Sequence, residues 1–286
     1  MVFVFLKVEK TNRPNLFLVG SPKCGTTYLW SKLKEHPKIF SPKFPEKEIN
    51  FFSYDNLKNN SYYKFYGISK KNDYLDLFKN STDEKYLMDS SVSYFTDEEA
   101  PKKIFKFNSK SKIIIMFRDP VKRALSHHSM DFRMGLANNS LSKYLLDSQL
   151  KKFYVQYVHN SMYYKYSKNY IDAFPKKQIL IIDFNDKKSI SEKISNFLSI
   201  DFDNDFFDFS ERINSNRAPK NLISKYFQRN RQITTVLKKY LPKKIINKFE
   251  PYLYSKEIRI EHSDEEKKIL EELLIKDWTS FKKMIS

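Results

Sequence analysis

Glycine is scarce, with four in 286 residues, so the chain has few flexible linkers. Cysteine is scarcer still. Cys24 stands alone, which excludes an internal disulfide framework. No repeat and no low-complexity tract is visible. The longest early apolar run, Val2–Leu6, falls far short of the roughly 18–20 residues that a membrane-spanning helix needs. It also lacks the length and cleavage site of a secretory signal. The expectation from these absences is a soluble, cytoplasmic protein with no membrane span. What is abundant points to a folded core. The apolar fraction is 41%, with 25 Phe, far from the composition of a disordered chain. The net charge of +18 fits an anionic substrate, nucleic acid or a membrane surface. Joint enrichment in Lys, Asn, Ile, Tyr and Phe accounts for it equally well as a biased coding composition.

Apolar runs alternate with helical periodicity along the first two thirds of the chain. NLFLVG (15–20) is a short apolar run ending in glycine, a buried strand. Residues 26–36 follow as a helix, with Pro37 just past its end. YLMD (86–89) reads as a second strand, and KIIIMF (112–117) as a central parallel one. Residues 120–133 form a helix with Pro120 in its first turn. QILIID (178–183) is a further core strand, and residues 190–200 an amphipathic helix after it. The last third, about 219–285, is mostly helical by pattern. Together these predict one α/β domain over 1–286, P-loop-like, with a central parallel sheet flanked by helices and a helical C-terminal third.

The stretch LVGSPKCGTTYLW (18–30) lies between a predicted strand and a predicted helix. Gly20 and Gly25 have the separation of a nucleotide-hydrolysing loop, G-x-x-x-x-G-K-[ST], but Thr26 stands in the lysine position. An ordinary strand–turn–helix joint would give the glycine spacing alone. Lys23, Thr26 and Thr27 favour a phosphate site. Backbone N–H groups and the helix N-terminus converge on one anion there, Gly25 admits close approach, and Lys23 supplies charge from the other side.

A second stretch, KIIIMFRDPVKRALSHHSMDFRMG (112–135), places Arg118 at the end of the central strand and Ser126 in the second turn of the next helix. Open α/β sheets bind ligands at the carboxyl ends of their strands. Arg118 can grip a phosphate with its planar fork, and Ser126 adds a hydroxyl. On residue type alone, a strand-end arginine paired with a surface carboxylate and a helix serine facing water is the stronger reading. Transfer to an alcohol would need a proton acceptor. Glu46, Glu48, His36, His127 and His128 are the candidates, and chemistry does not choose among them.

Both stretches resemble the PAPS-dependent sulfotransferases, which use 3′-phosphoadenosine 5′-phosphosulfate as sulfuryl donor. FLVGSPKCGTTYLWSKLKEHPKIF is similar to that family's 5′-phosphosulfate loop, P-K-[SCT]-G-T-[TS], where the upstream lysine is the family's mark. The resemblance implies that Lys23 contacts the phosphosulfate and its bridging oxygen. Cys24, Gly25, Thr26 and Thr27 would cradle the same group, without metal. RDPVKRALS is similar to the 3′-phosphate motif R-[DN]-P-x-x-R-x-x-S, with Arg118 and Ser126 as the contacts. Weaker similarity extends over most of the chain, and YLMDSSVSYF and SMYYKYSKNYIDAFPKKQILIIDFND belong to it. The latter puts Tyr163 at an adenine-side tyrosine, although a core aromatic is the stronger reading of one tyrosine among 19.

KEINFF resembles the K-E-x-H-F-F segment of the Golgi-type carbohydrate branch, which includes the heparan-sulfate-like domains and uses the glutamate as base. That maps to Glu48 with Lys47 beside it. Asn50 stands in the histidine position, a departure from the pattern. His127 and His128 read better as surface or packing residues. The resemblance implies a carbohydrate or glycolipid acceptor, with a small alcohol as the alternative and no nucleic-acid partner. A P-loop nucleotide kinase, with Asp89 as a metal-holding acid, and a basic nucleic-acid-binding module are the rival readings.

Overall fold

A computed structural model describes residues 12–45, 47–60, 67–202, 206–207, 217–220, 224, 226, 245, 252–257 and 260–286. Glu46 and the Val2–Leu6 run lie outside the described residues, as does most of the stretch between 221 and 251. The organising element is β1 (Leu16–Gly20), whose Leu16, Phe17, Leu18 and Val19 are all 0% exposed. A strand apolar on every side chain must be covered on both faces, which antiparallel surface sheets do not provide. It is followed by α1 (Thr26–Leu33), β2 (Ile39–Phe40), α2 (Tyr54–Asn60), α3 (Lys71–Asp76), β3 (Tyr86–Ser90) and α4 (Ala100–Phe107). Next come β4 (Lys112–Phe117), α5 (Pro120–Arg133), α6 (Ser142–Leu146), α7 (Lys151–Tyr157) and α8 (Tyr163–Ala173). β5 (Ile179–Asp183) and α9 (Lys187–Leu198) complete the sheet layer.

The five strands are parallel in the order β2-β3-β1-β4-β5. The predicted α/β class and each predicted strand are therefore present. The two-residue edge strand β2 carries too short an apolar run to be read beforehand. Beyond the sheet, β6 (Arg217–Pro219) pairs antiparallel with β7 (Tyr254–Glu257), an element that the helical pattern of the last third did not announce. The final helix, α10 (Asp264–Ile285), begins with a capping box of Ser263 and Glu266.

Long-range side chains lock the layers. Lys85 donates to the carbonyls of Leu198 and Ser199, and Lys112 to that of Phe197. Cations just before β3 and at the start of β4 thus satisfy the orphan carbonyls at the end of α9. Asp277 of α10 accepts from the amides of Tyr164 and Lys165, capping α8 at 2.9 Å each. Phe281 packs on Phe117 and Tyr163 at centroid distances of 4.9 and 5.3 Å.

At the other end of α10, His262 meets His128 of α5 at 2.9 Å between ring nitrogens, and His128 also contacts the Asn138 carbonyl at 2.9 Å. Burial is the first cause that holds His128 at about 4, with His262 next, and it lowers His127 and His262 as well. The unfolded chain takes up these protons near 6.5 and the native one resists them. Stability is therefore full above pH 6.5 and falls as pH drops from there toward about 4. Urea unfolding midpoints from pH 7 to 4 measure this, and a midpoint that stays level over that range contradicts it.

Candidate active site

Because β1 lies between β3 and β4, the chain leaves it toward β2 and β3 on one side and later returns to β4 on the other. The connections diverge at the carboxyl end of β1 and open a crevice there. Residues 21–25 follow β1, Ser91 follows β3, Arg118 follows β4 and Phe184 follows β5.

Gly25 sits at φ 83 as the residue that caps α1, and no side chain caps the helix. A Cβ at Gly25 would overlap the Phe184 ring. The glycine requirement thus comes from left-handed backbone and from packing against the β5–α9 junction, more than from ligand approach alone. Gly20 is confined similarly, since a Cβ there would lie 2.6 Å from that of Phe95. The first-turn amides of α1 have no intrahelical acceptor, so they face the crevice as donors.

Lys23, at φ 70, turns its side chain toward α5, where Nζ meets the Met130 thioether at 3.6 Å. Burial lowers its pKa to about 8, and Arg133, Arg123 and Arg118 push the same way while Asp131 opposes them. Arg118 donates to the Lys23 carbonyl at 3.3 Å and lies over the Phe184 ring at 5.7 Å. Its Nε is buried with no hydrogen-bond partner among the described residues. An orphaned guanidinium N–H beside an enclosed ammonium crowded by cations is a site short of an anion. A phosphate-bearing ligand fits that deficit.

The candidate base lies on the β3 side of the same crevice. Glu48 Oε2 accepts the Val92 amide at 3.0 Å, and the Glu48 amide donates to the Ser90 carbonyl at 3.1 Å. Glu48 and Asn50 both have left-handed backbone, at φ 61 and 59. Asn50 stabilises this bend. Its Nδ2 donates to the Glu48 carbonyl at 2.9 Å, its Oδ1 accepts from Ser93 Oγ at 2.7 Å, and its amide donates to Ser91 Oγ at 3.1 Å. Ser91 in turn donates to Asp89 at 2.7 Å. Asparagine tolerates left-handed backbone, so it can replace the histidine of the resembled segment while holding the glutamate in place. Lys47 reaches across to Thr26 Oγ1 and Thr27 Oγ1, at 3.2 Å each, and lies 3.8 Å from Glu48 Oε1. Sequence reasoning set Lys47 beside the base without a role. Its basic type next to Glu48 was the available signal.

Lys23, Gly25, Thr26, Thr27, Arg118 and Glu48 thus gather at one crevice. Ser126 is half-buried on α5, the helix that starts just after Arg118. Two expected contacts are not placed for ligand binding by their side chains. Cys24 is fully buried, and its thiol pairs at 3.4 Å with the Tyr163 hydroxyl, leaving the Cys24 backbone as its contribution. Tyr163 is 0% exposed, packed between Phe95, Phe117 and Phe281, so its ring has no face open to an adenine. Helix α8 turns it inward, where it packs as a core aromatic.

Of the histidines, His36 lies past the far end of α1 against the Asp201 carbonyl and Phe202. His127 is buried against Arg123 at 3.0 Å, and His128 serves the α10 contact. Asp89 has its carboxylate taken by the hydroxyls of Tyr74, Tyr94 and Ser91 at 2.7–2.8 Å, and burial raises it to about 6. It is not presented to a metal-bound nucleotide as the kinase reading requires.

The architecture is that of an α/β protein with an anion-deficient crevice at the carboxyl edge of its sheet. A family model for the sulfotransferase domain matches residues 13–271, and the chain belongs to that family. Mouse heparan sulfate glucosamine 3-O-sulfotransferase 5 is 30% identical over 176 residues, covering 59% of this chain and 47% of the relative. Human bifunctional heparan sulfate N-deacetylase/N-sulfotransferase 3 is 30% identical over 210 residues, covering 67% of this chain and 23% of the relative. The chain therefore spans less than half the length of either. A solved sulfotransferase from Alicyclobacillus acidocaldarius superposes with TM-score 0.60 at 25% identity, covering 78% of this chain and 96% of that one.

An anion bound beside Lys23 favours its ammonium form. Affinity for PAP, the desulfated form of the donor that the resemblance implies, should fall as pH rises through about 8, by up to tenfold per unit. Lys23→Arg, which stays charged, should flatten the profile. Calorimetric titration from pH 7 to 9.5 measures both, and a flat wild-type profile counts against a Lys23 contact.

Proposed function

We propose that this chain transfers a sulfuryl group from PAPS to a hydroxyl of a carbohydrate or glycolipid. The observation that carries the reading is the anion deficit at Arg118 and Lys23, set at a metal-free type of phosphate loop. The residues of the loop fit the 5′-phosphosulfate. Arg118 and Ser126 are offered to the 3′-phosphate from β4 and α5. Glu48 takes the acceptor proton as the acceptor oxygen bonds to sulfur. The bond from sulfur to the 5′-phosphate oxygen breaks, and its electron pair leaves on that oxygen, making PAP. Rate comes from alignment of the reacting groups and from fixed cations at the developing charge.

The relatives named for heparan sulfate support a carbohydrate acceptor. A cleft of about 590 Å³ between α2, the 96–99 turn, α7 and α8 is offered as an acceptor subsite. Asp55, Asn56, Glu98, Lys103, Lys152 and Tyr166 line it, a polar set of both charge signs around one aromatic face, suited to a hydroxyl-rich ring. A cytoplasmic location is also part of the proposal. Among the described residues no helix is long and apolar enough to cross a membrane, which speaks to spanning and not to compartment.

At a hundredfold excess over Kd, PAP should stabilise the fold by about 2.7 kcal/mol and raise Tm by several degrees. Lys23→Ala and Arg118→Ala should abolish that rise. No rise in the wild type at saturating PAP overturns the donor assignment. Glu48→Gln should keep PAP binding and lower kcat by about 10²–10⁴-fold. An acceptor panel with labelled PAPS decides the substrate class. Label entering aryl alcohols but no glycan would remove the carbohydrate half of the proposal.

A further inference from the structure

The loop has threonine where a nucleotide-hydrolysing loop has its lysine, yet an ammonium stands at that threonine. Lys47 Nζ is 3.2 Å from Thr26 Oγ1 and equally far from Thr27 Oγ1, with its side chain 12% exposed. The two lysines of the site arrive from opposite walls. Lys23 leans toward α5, on the β4 side of β1, where its Nζ meets Met130. Lys47 comes from the segment after β2, on the β3 side, and lies 3.8 Å from Glu48 Oε1. It therefore bridges the hydroxyls expected to cradle the donor and the carboxylate expected to take the proton. The reacting sulfur must lie between those two groups if both act on it.

We propose that Lys47 is a catalytic residue that contacts the transferring sulfuryl group, supplying from another segment the cation that the loop lacks at Thr26. This rests on the reading of the loop and of Glu48 given above. On donor binding, sulfuryl oxygens accept from the ammonium that now bonds to Thr26 and Thr27. During transfer, the sulfur–oxygen bond to the acceptor forms as that to the 5′-phosphate breaks, and the acceptor proton passes to Glu48. Lys47 offsets negative charge on the group in flight, and Lys23 does so at the leaving oxygen. An enclosed ammonium aimed at developing charge is worth about 10²–10³-fold in rate.

PAP and PAPS differ by the sulfuryl group alone, so their binding isolates the contact. In calorimetry without acceptor, Lys47→Ala should leave the Kd for PAP within about threefold of wild type. It should weaken PAPS by about tenfold or more, and slow the release of labelled sulfate from PAPS to water by about 10²-fold. Equal loss for PAP and PAPS would reduce Lys47 to a prop for the loop and overturn the proposal, as would unchanged PAPS binding. Lys47→Cys guards against a folding artefact. Alkylating the introduced thiol with bromoethylamine rebuilds an ammonium of similar reach, and the native thiol of Cys24 is fully buried. Return of PAPS affinity and rate upholds the contact, and no return overturns it. Failure of the donor reading appears separately, as a wild-type protein that binds neither nucleotide.

Discussion

A parallel sheet with its first strand at the centre has to send its connections to opposite sides of that strand, and the active crevice follows from this split. β1 is buried on every side chain, so nothing polar can sit along it. Chemistry begins where it ends. The phosphate loop, the Ser90–Tyr94 segment, Arg118 and Phe184 come from four different strand ends, and the order β2-β3-β1-β4-β5 brings them to one place. Phe184 then limits the loop from the far side, because its ring fills the space a side chain at Gly25 would need.

Charge is distributed in the crevice with unequal compensation. Arg123 is fully buried, and its donors are spent on the Ser161 hydroxyl, the His127 ring and the carbonyls of Gln156 and Tyr157. It therefore serves as a tie between α5, α7 and the turn before α8. Ser161 lies next to Asn160, whose carbonyl accepts from Ser21 of the phosphate loop at 2.7 Å. The arginine shared by the RDPVKRALS motif thus fixes the first loop to the second. Arg118 and Lys23 differ from it. One keeps an orphan N–H and the other a depressed pKa, and a bound anion would offset both.

The glutamate side is organised by hydrogen bonds around Ile49, which anchors the segment in the apolar core. Residues 48–50 are bracketed to 90–93 by the Ser90 carbonyl, the Val92 amide and the hydroxyls of Ser91 and Ser93. Asp89 anchors that bracket from within the core through Ser91, with Tyr74 and Tyr94 as its other donors. Two left-handed residues within three, Glu48 and Asn50, persist because this network over-determines them. Asn50 earns its position in this network by its amide, which donates and accepts at once.

The strands, the main helices and the two anion motifs were legible in the sequence because each is a local pattern. Apolar runs of five or six residues, 3.6-residue periodicity and Pro120 at a helix start act over short stretches. The placement of Lys23, Thr26, Thr27 and Arg118 at strand–helix junctions followed from those patterns and from the rule that parallel strands bind ligands at their carboxyl ends. Other features required the tertiary structure. Tyr163 turned into the core because α8 docks between the sheet and α10. Cys24 turned its thiol to the same core. Lys47 reached Thr26 because the segment after β2 folds back over α1, a contact between residues 21 apart in the chain. Sequence alone determined which candidate groups this protein offers for holding an anion and taking a proton. Only the packing of distant segments decided which of them face the crevice, since side-chain direction depends on what covers each element and not on the local pattern.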